Sequence, residues 1–129
     1  NEDVSQTDYY NRVNTEFQKV GAIGITLLSA SGDGGVAGGQ PSLCLAHFIP
    51  TFPGASPYIT SVGGTQGNPE SAASFSSGGF SNVSPSPSYQ QDAVKHYLSV
   101  AKDLPTPTHY NATGNGFPDV SAQGSTFII

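Results

Sequence analysis

Gly24-Ile25-Thr26-Leu27-Leu28-Ser29-Ala30-Ser31-Gly32-Asp33-Gly34-Gly35 is the stretch on which the fold turns. An apolar run leads straight into a cluster of Ser and Gly with one acid at its centre. From Val20 to Pro69, Asp33 is the only residue with a formal charge at neutral pH. A short apolar run bounded by turn residues suits a buried strand of a parallel sheet. In open parallel α/β sheets, ligands sit beyond the carboxyl ends of the strands. A strand that ends in a lone acid set in glycines therefore makes Asp33 the first candidate for chemistry. The pentapeptide Ser31–Gly35 also has a plain reading, because Gly takes positive φ and Asp bonds its own backbone, so such turns commonly end strands. What surrounds it decides between the two.

Working outward, residues 4–20 carry Tyr10, Val13, Phe17 and Val20 at three- and four-residue spacing, the stripe of an amphipathic helix. Gly21 is placed to stop it, and a strand is predicted from about Ile23 to Ala30. Helix, short turn and buried strand make half of a βαβ unit. Residues 34–57 form a long Gly/Pro-rich connection, of the kind usually kept for function. Tyr58-Ile59-Thr60-Ser61-Val62 reads as a second strand closed by Gly63-Gly64. Residues 66–88 are mostly Ser, Gly and Pro, with Phe75 and Phe80 flanking a pinned loop or edge segment. A second helix is predicted from about Ser88 to Ala101, with Ser88 as N-cap and Tyr89, Ala93, Tyr97 and Val100 inward. Leu104 to Gly116 reads as a polar connection, and Phe117-Pro118-Asp119-Val120-Ser121 begins another element. The apolar ending Phe127-Ile128-Ile129 and the opening on a helix make residues 1–129 read as a central segment of one larger domain, incomplete at both ends.

Composition narrows the function. Charged residues are 10% of the chain, far below the usual share of about 25%. Six tyrosines and seven phenylalanines argue against disorder. The formal net charge is −5, with four basic residues, Arg12, Lys19, Lys95 and Lys102, that form no patch. Nucleic-acid binding relies on clustered Lys and Arg, so it is excluded as a partner class. No apolar stretch approaches the ~20 residues that span a bilayer, so no membrane span is expected. Asn1-Glu2-Asp3 is the reverse of a signal peptide's basic start. Cys44 is the only cysteine. It suits an inert core thiol, or half of a disulfide whose partner lies outside these residues; a nucleophile would need a positioned base, for which only His47 stands nearby.

Four blocks in register point to a family. Ser31-Gly32-Asp33-Gly34-Gly35 is followed by Thr51-Phe52-Pro53-Gly54-Ala55-Ser56-Pro57-Tyr58-Ile59-Thr60-Ser61-Val62-Gly63-Gly64-Thr65. Ser77-Gly78-Gly79-Phe80-Ser81 with Pro87-Ser88-Tyr89-Gln90 comes next, and then Gly116-Phe117-Pro118-Asp119-Val120-Ser121-Ala122. Their order and spacing across residues 14–129 resemble the sedolisins, the serine-carboxyl peptidases, and their eukaryotic branch most of all. The resemblance implies an α/β, subtilisin-like three-layer fold with a mostly parallel sheet, here a partial domain. It implies an acid-acting peptidase that cleaves peptide bonds through an acyl-enzyme, either as an endopeptidase or by removing N-terminal tripeptides.

On this resemblance Asp33 takes the position of the oxyanion-hole aspartate. A carboxylate would repel an oxyanion, whereas a protonated Asp donates to it; an unperturbed Asp titrates near 3.9, so the device favours acid. Ser31 and Gly32 match the strand end that lines the first specificity pocket, with small residues at a tight turn as the plain alternative. Ser77-Gly78-Gly79 suits either a groove edge to which an extended peptide adds as a strand or a flexible loop. The family's Gly-Thr-Ser-x-x-x-Pro nucleophile block is absent from these residues, as are its glutamate and second aspartate. Glu2, Asp3, Asp8 and Glu16 do not fill those places, and Asp8 and Glu16 read as solvated helix surface. The family's calcium ligands also fall outside these residues, and Asp119 reads as a structural turn residue. Many relatives have Ser or Thr where this chain has Gly34, which implies a looser loop.

The partners implied are a peptide or protein substrate and the remainder of the peptidase domain; the 129 residues alone are expected to be inactive and only marginally stable. Asn82-Val83-Ser84 and Asn111-Ala112-Thr113 are sequons, Asn111 in the more favourable context because Pro85 follows the first. With the disulfide that eukaryotic relatives make from a cysteine near Cys44, they imply an oxidising route to a lysosomal or secreted location. A catalytically inactive homologue that binds peptides is the alternative. A subtilisin proper usually has Asn where Asp33 stands, and a structural module needs no lone acid at a strand end.

Overall fold

The computed structural model describes residues 1–39 and 46–125, so Cys44 and the Phe127-Ile128-Ile129 ending lie outside the described residues. Helix α1 spans Thr7–Ala22, one residue beyond the expected stop at Gly21, and follows a 3-10 turn over Val4–Gln6. The Asp3 side chain caps that turn by accepting from Ser5 N at 2.9 Å. Of the expected stripe, Tyr10 is buried and Val13, Phe17 and Val20 are half-buried. Their floor is Phe52, whose ring centroid lies 4.7 Å from Tyr10 and 6.2 Å from Phe17. Asn14 shares this face and is buried too. Its Oδ1 accepts from Ser56 Oγ at 2.7 Å and its Nδ2 donates to Ser84 Oγ at 3.4 Å. Away from that face, Glu16 pairs with Lys19 at 2.7 Å in solvent, which bears out the reading of Glu16 as surface.

Strand β1 covers only Leu28–Ala30. The expected strand from Ile23 is wrong at its start, because Gly24 has φ of +84° and turns the chain, leaving Ile23 74% exposed. Strand β2, Thr60–Gln66, is the centre of the main sheet. Two further strands join it, β3 over Ser71–Ala72 and β6 over Val120–Gln123. β1 and β6 run parallel to β2, and β3 runs antiparallel. Val62 pairs with both Ala30 and Val120, and Thr65 with both Ala72 and Gln123. A strand has two edges, so β1 and β3 share one edge of β2 and β6 takes the other. Gly63-Gly64 does not close β2 as expected but lies within it. A Cβ on Gly63 would stand 2.7 Å from Pro118 Cγ, and one on Gly64 3.0 Å from Phe75 Cε2. These glycines serve close packing rather than termination.

A second, antiparallel pair joins β4, Gly79–Pro85, to β5, Gly114–Phe117. It forms in segments expected to be largely loop. Helix α2 spans Ser88–Val100 with Pro87, not Ser88, at its N-cap. None of its residues is buried, which corrects the inward stripe. Tyr89, Ala93 and Tyr97 face an open cleft, while Val100 is 58% exposed. The apolar core is small, with Tyr10, Ala55, Ile59, Ala73 and Phe117 buried, and buried serines fill the space around them. The fold is α/β with a mostly parallel main sheet, as expected, and compatible with a partial subtilisin-like domain.

Candidate active site

β1 and β2 are parallel, so their carboxyl ends open on the same side. The chain leaves β1 there through Ser31. Its N–H donates to Val62 O at 2.8 Å and continues the ladder, and its carbonyl accepts from Thr51 Oγ1. Ser31 is buried, with Oγ 3.4 Å from Ser76 Oγ. Gly32 follows with φ of +115°, where a side chain is strained. A Cβ there would also lie 2.9 Å from Ser77 Oγ and 3.2 Å from Thr51 Cγ2. Asp33 comes next and is exposed. At Gly34 a Cβ would lie 1.2 Å from the Gly38 carbonyl oxygen. The turn is therefore folded tightly onto Gly34, and the expectation of a looser loop is overturned.

The opposite bank is the stretch between β3 and β4. Ser77 N donates to Gly32 O at 2.9 Å, and Ser77 Oγ accepts from Gly34 N at 3.1 Å. Gly35 N donates to Phe75 O at 3.0 Å. Ser76 Oγ accepts from Gly64 N at 2.9 Å, on the edge of β2 between β1 and β3. The residues on both sides of Asp33 are thus bonded to one neighbouring segment. Each such bond contributes a net ~0.5–1.5 kcal/mol, and an unmade one would cost more. The result is a fixed main chain presenting an exposed carboxyl group.

The structure brings Ser31, Gly32 and Asp33 together by sequence adjacency and adds Thr51, Ser76 and Ser77, which sequence reasoning did not connect to them. A cleft of about 900 Å³ adjoins this frame, sharing Gly35, Ser76 and Gly78 with it and lined by aromatic residues including Phe80, Tyr97 and Phe117. Asp119 is structural, as expected: its Oδ2 accepts from Ser61 N at 2.7 Å and its own N–H donates to Ser61 O at 3.0 Å, fixing the start of β6 to β2.

The other acids lie elsewhere. Glu2 sits by a second cleft of about 990 Å³. Its carboxylate accepts from Ser81 Oγ at 2.5 Å and Asn82 N at 2.7 Å. Burial pushes this carboxyl up, against the pull of those two bonds. Both sequons border the same cleft. Asn82 is exposed, whereas Asn111 is half-buried with Nδ2 donating to Ser81 O at 2.9 Å. His47 Nδ1 donates to Thr108 O at 3.0 Å. Among the described residues no group of three or more His, Cys, Asp or Glu could hold a metal ion, so no calcium ligand is assigned here. Among them, too, no helix is long and apolar enough to cross a membrane.

No protein-family model matches the chain. It is 49% identical to tripeptidyl-peptidase 1 of Canis lupus familiaris, 49% to that of Bos taurus and 47% to that of Homo sapiens, each over 135 aligned residues. These alignments cover 99% of this chain and 24% of each relative, so the chain spans about a quarter of the length of the curated relatives it matches. Over that stretch the chain is similar to tripeptidyl-peptidase 1, in keeping with the sedolisin resemblance of its four blocks.

Proposed function

We propose that these residues are the central part of a sedolisin-type serine-carboxyl peptidase domain, and that Asp33 is its oxyanion-hole donor. One observation carries the reading: Asp33 stands exposed beyond the carboxyl end of β1 while Gly32 and Gly34 on either side are bonded to Ser77. A donor to a developing oxyanion must be fixed before the charge appears, and this main chain is fixed. Similarity to tripeptidyl-peptidase 1 over 99% of the chain supports the same reading.

In that chemistry a serine oxygen forms a bond to the peptide carbonyl carbon. Its proton passes to a glutamate base, and the carbonyl π electrons move onto oxygen. A protonated Asp33 donates to that oxygen; the C–N bond then breaks, the amine takes the proton and an acyl-enzyme remains. The serine and the glutamate belong to the remainder of the domain, so the 129 residues alone hydrolyse no peptide. Ser31 and Gly32 form the wall behind the first specificity pocket, Ser31 through backbone bonds that hold the strand end. Requiring a protonated acid suits an acidic, lysosomal or secreted setting, with Asn82 and Asn111 as glycan acceptors and Cys44 in a disulfide. Calcium is bound by the full domain outside this stretch.

The test is Asp33→Ala in the full-length protein, assayed on a tripeptide-releasing peptide substrate in acid. Loss of one oxyanion donor is expected to lower kcat by about 10²–10³, with the melting temperature little changed. Wild-type turnover in that variant sinks the reading. A full-length protein that binds peptide without cleaving it places the chain in an inactive homologue.

A further inference from the structure

The peptides on either side of Asp33 are both bonded to Ser77. It is 1% exposed, and it meets the turn twice. Its N–H donates to Gly32 O at 2.9 Å, and its Oγ accepts from Gly34 N at 3.1 Å. One residue thereby fixes the peptide planes before and after Asp33. The carbonyl bonded on one side belongs to Gly32, whose φ of +115° is a conformation that glycine adopts and other residues rarely do. Ser77 is itself anchored through its neighbour, since Ser76 Oγ accepts from Gly64 N at 2.9 Å on strand β2. The chain of bonds thus runs from the central strand, through the serine pair, to both flanks of the acid.

We infer that Ser77 is the positioning residue of Asp33, acting through the Gly32 and Gly34 peptides; this rests on the reading of Asp33 as the oxyanion donor. Ser77 does not touch substrate in this role. Its hydroxyl satisfies the Gly34 N–H, and without it that N–H loses its partner and the peptide after Asp33 loses its tie to this segment, while the Ser77 N–H keeps its bond to Gly32 O. Misplacing a donor by about 1 Å is enough to cost on the order of 10²-fold in rate. The Ser77 N–H bond to Gly32 O, on the side of the pocket wall, does not depend on the hydroxyl, so substrate binding is expected to be little affected.

The experiment is a double-mutant cycle in the full-length protein, with Ser77→Ala, Asp33→Ala and the pair, each measured for kcat, KM and melting temperature. Ser77→Ala is expected to lower kcat by about 10- to 100-fold with KM changed less than about threefold. In the Asp33→Ala background it is expected to lower kcat little further, because the group it positions is gone. That non-additivity is a readout that a purely structural serine does not give. Ser84→Ala, at a buried serine on β4, serves as the control that lowers melting temperature without moving kcat. If Ser77→Ala does not fold, Ser77→Cys keeps the shape in a slightly larger side chain with a weaker acceptor, and the same kcat loss and the same non-additivity are expected of it, at smaller magnitude. Should Asp33→Ala turn over like wild type, the oxyanion reading fails and the inference with it. Should Asp33→Ala be impaired while the serine variant keeps wild-type kcat, or while the two losses simply multiply, the positioning role alone is overturned.

Discussion

The Asp33 turn, which reaches one cleft through Gly35, and helix α2, which lines the same cleft, are built by opposite means. The turn is made of Ser and Gly, has hardly a carbon to pack, and is held by directional bonds to Ser77 and Phe75. Helix α2 carries Tyr89, Tyr97 and Leu98 toward the cleft and buries none of its residues. Directional bonds specify position to within a fraction of an ångström, whereas loose apolar contact specifies only proximity. Where an acid must meet a charge that exists only in a transition state, the first kind of construction is the useful one.

The sharpest way to break this contrast is at Gly34. A methyl there has no place, since the Gly38 carbonyl oxygen occupies it at 1.2 Å. Gly34→Ala is expected to lower the stability of the full-length protein by about 2–4 kcal/mol, in the range of overpacked or strained sites. Thermal unfolding reads this directly, and a loss below about 0.5 kcal/mol would show that the turn yields.

Glu2 tests the polar construction at a distance from the turn, where it straps the start of the chain to β4. Burial holds its carboxyl above the usual glutamate value of 4.5, with the Ser81 and Asn82 bonds opposing. Between 4.5 and that raised value the folded state keeps a proton that the unfolded state has lost. The contribution to stability is therefore full below the lower limit and fades as pH rises through the window. Glu2→Gln cannot titrate, so its melting temperature is expected to fall less than that of wild type between acid and about pH 7. An equal fall in both proteins assigns the dependence to other groups.

At the weak end stands Tyr97, 53% exposed on α2. Tyr97→Ala is expected to change stability by less than about 0.5 kcal/mol, as at ordinary surface sites. A larger loss, seen by denaturant unfolding, would mean that α2 packs as tightly as the turn is bonded and would dissolve the contrast.

Local patterns carried the legible part of the fold. Three- and four-residue spacing located α1 and α2 within a few residues, and the lone acid after an apolar run located the strand end and Asp33. What stayed hidden depends on residues distant in sequence. β4 and β5 are rich in Gly, Ser, Asn and Pro, poor strand formers by themselves, and they exist because they pair with each other. Gly63-Gly64 looks like a stop until Pro118, Ser121 and Phe75 are seen to press on it. Asn14 hides in a polar position of α1 because its partners, Ser56 and Ser84, are far along the chain. In the sequence Ser77 belongs to a segment that suits either a groove edge or a flexible loop, with nothing to tie it to Asp33. Its two bonds to the Asp33 turn are a property of the folded main chain.

The most direct measurement compares Asp33→Asn with Asp33→Ala in the full-length protein, following kcat on a peptide substrate from acid to neutral pH. An amide keeps an N–H donor at the same place and needs no proton from solvent to donate it. Asp33→Asn is therefore expected to retain clearly more turnover than Asp33→Ala. If Asn is as inactive as Ala at every pH, the reaction needs a carboxyl group at this position for something other than donation to an oxyanion, and the central claim is contradicted.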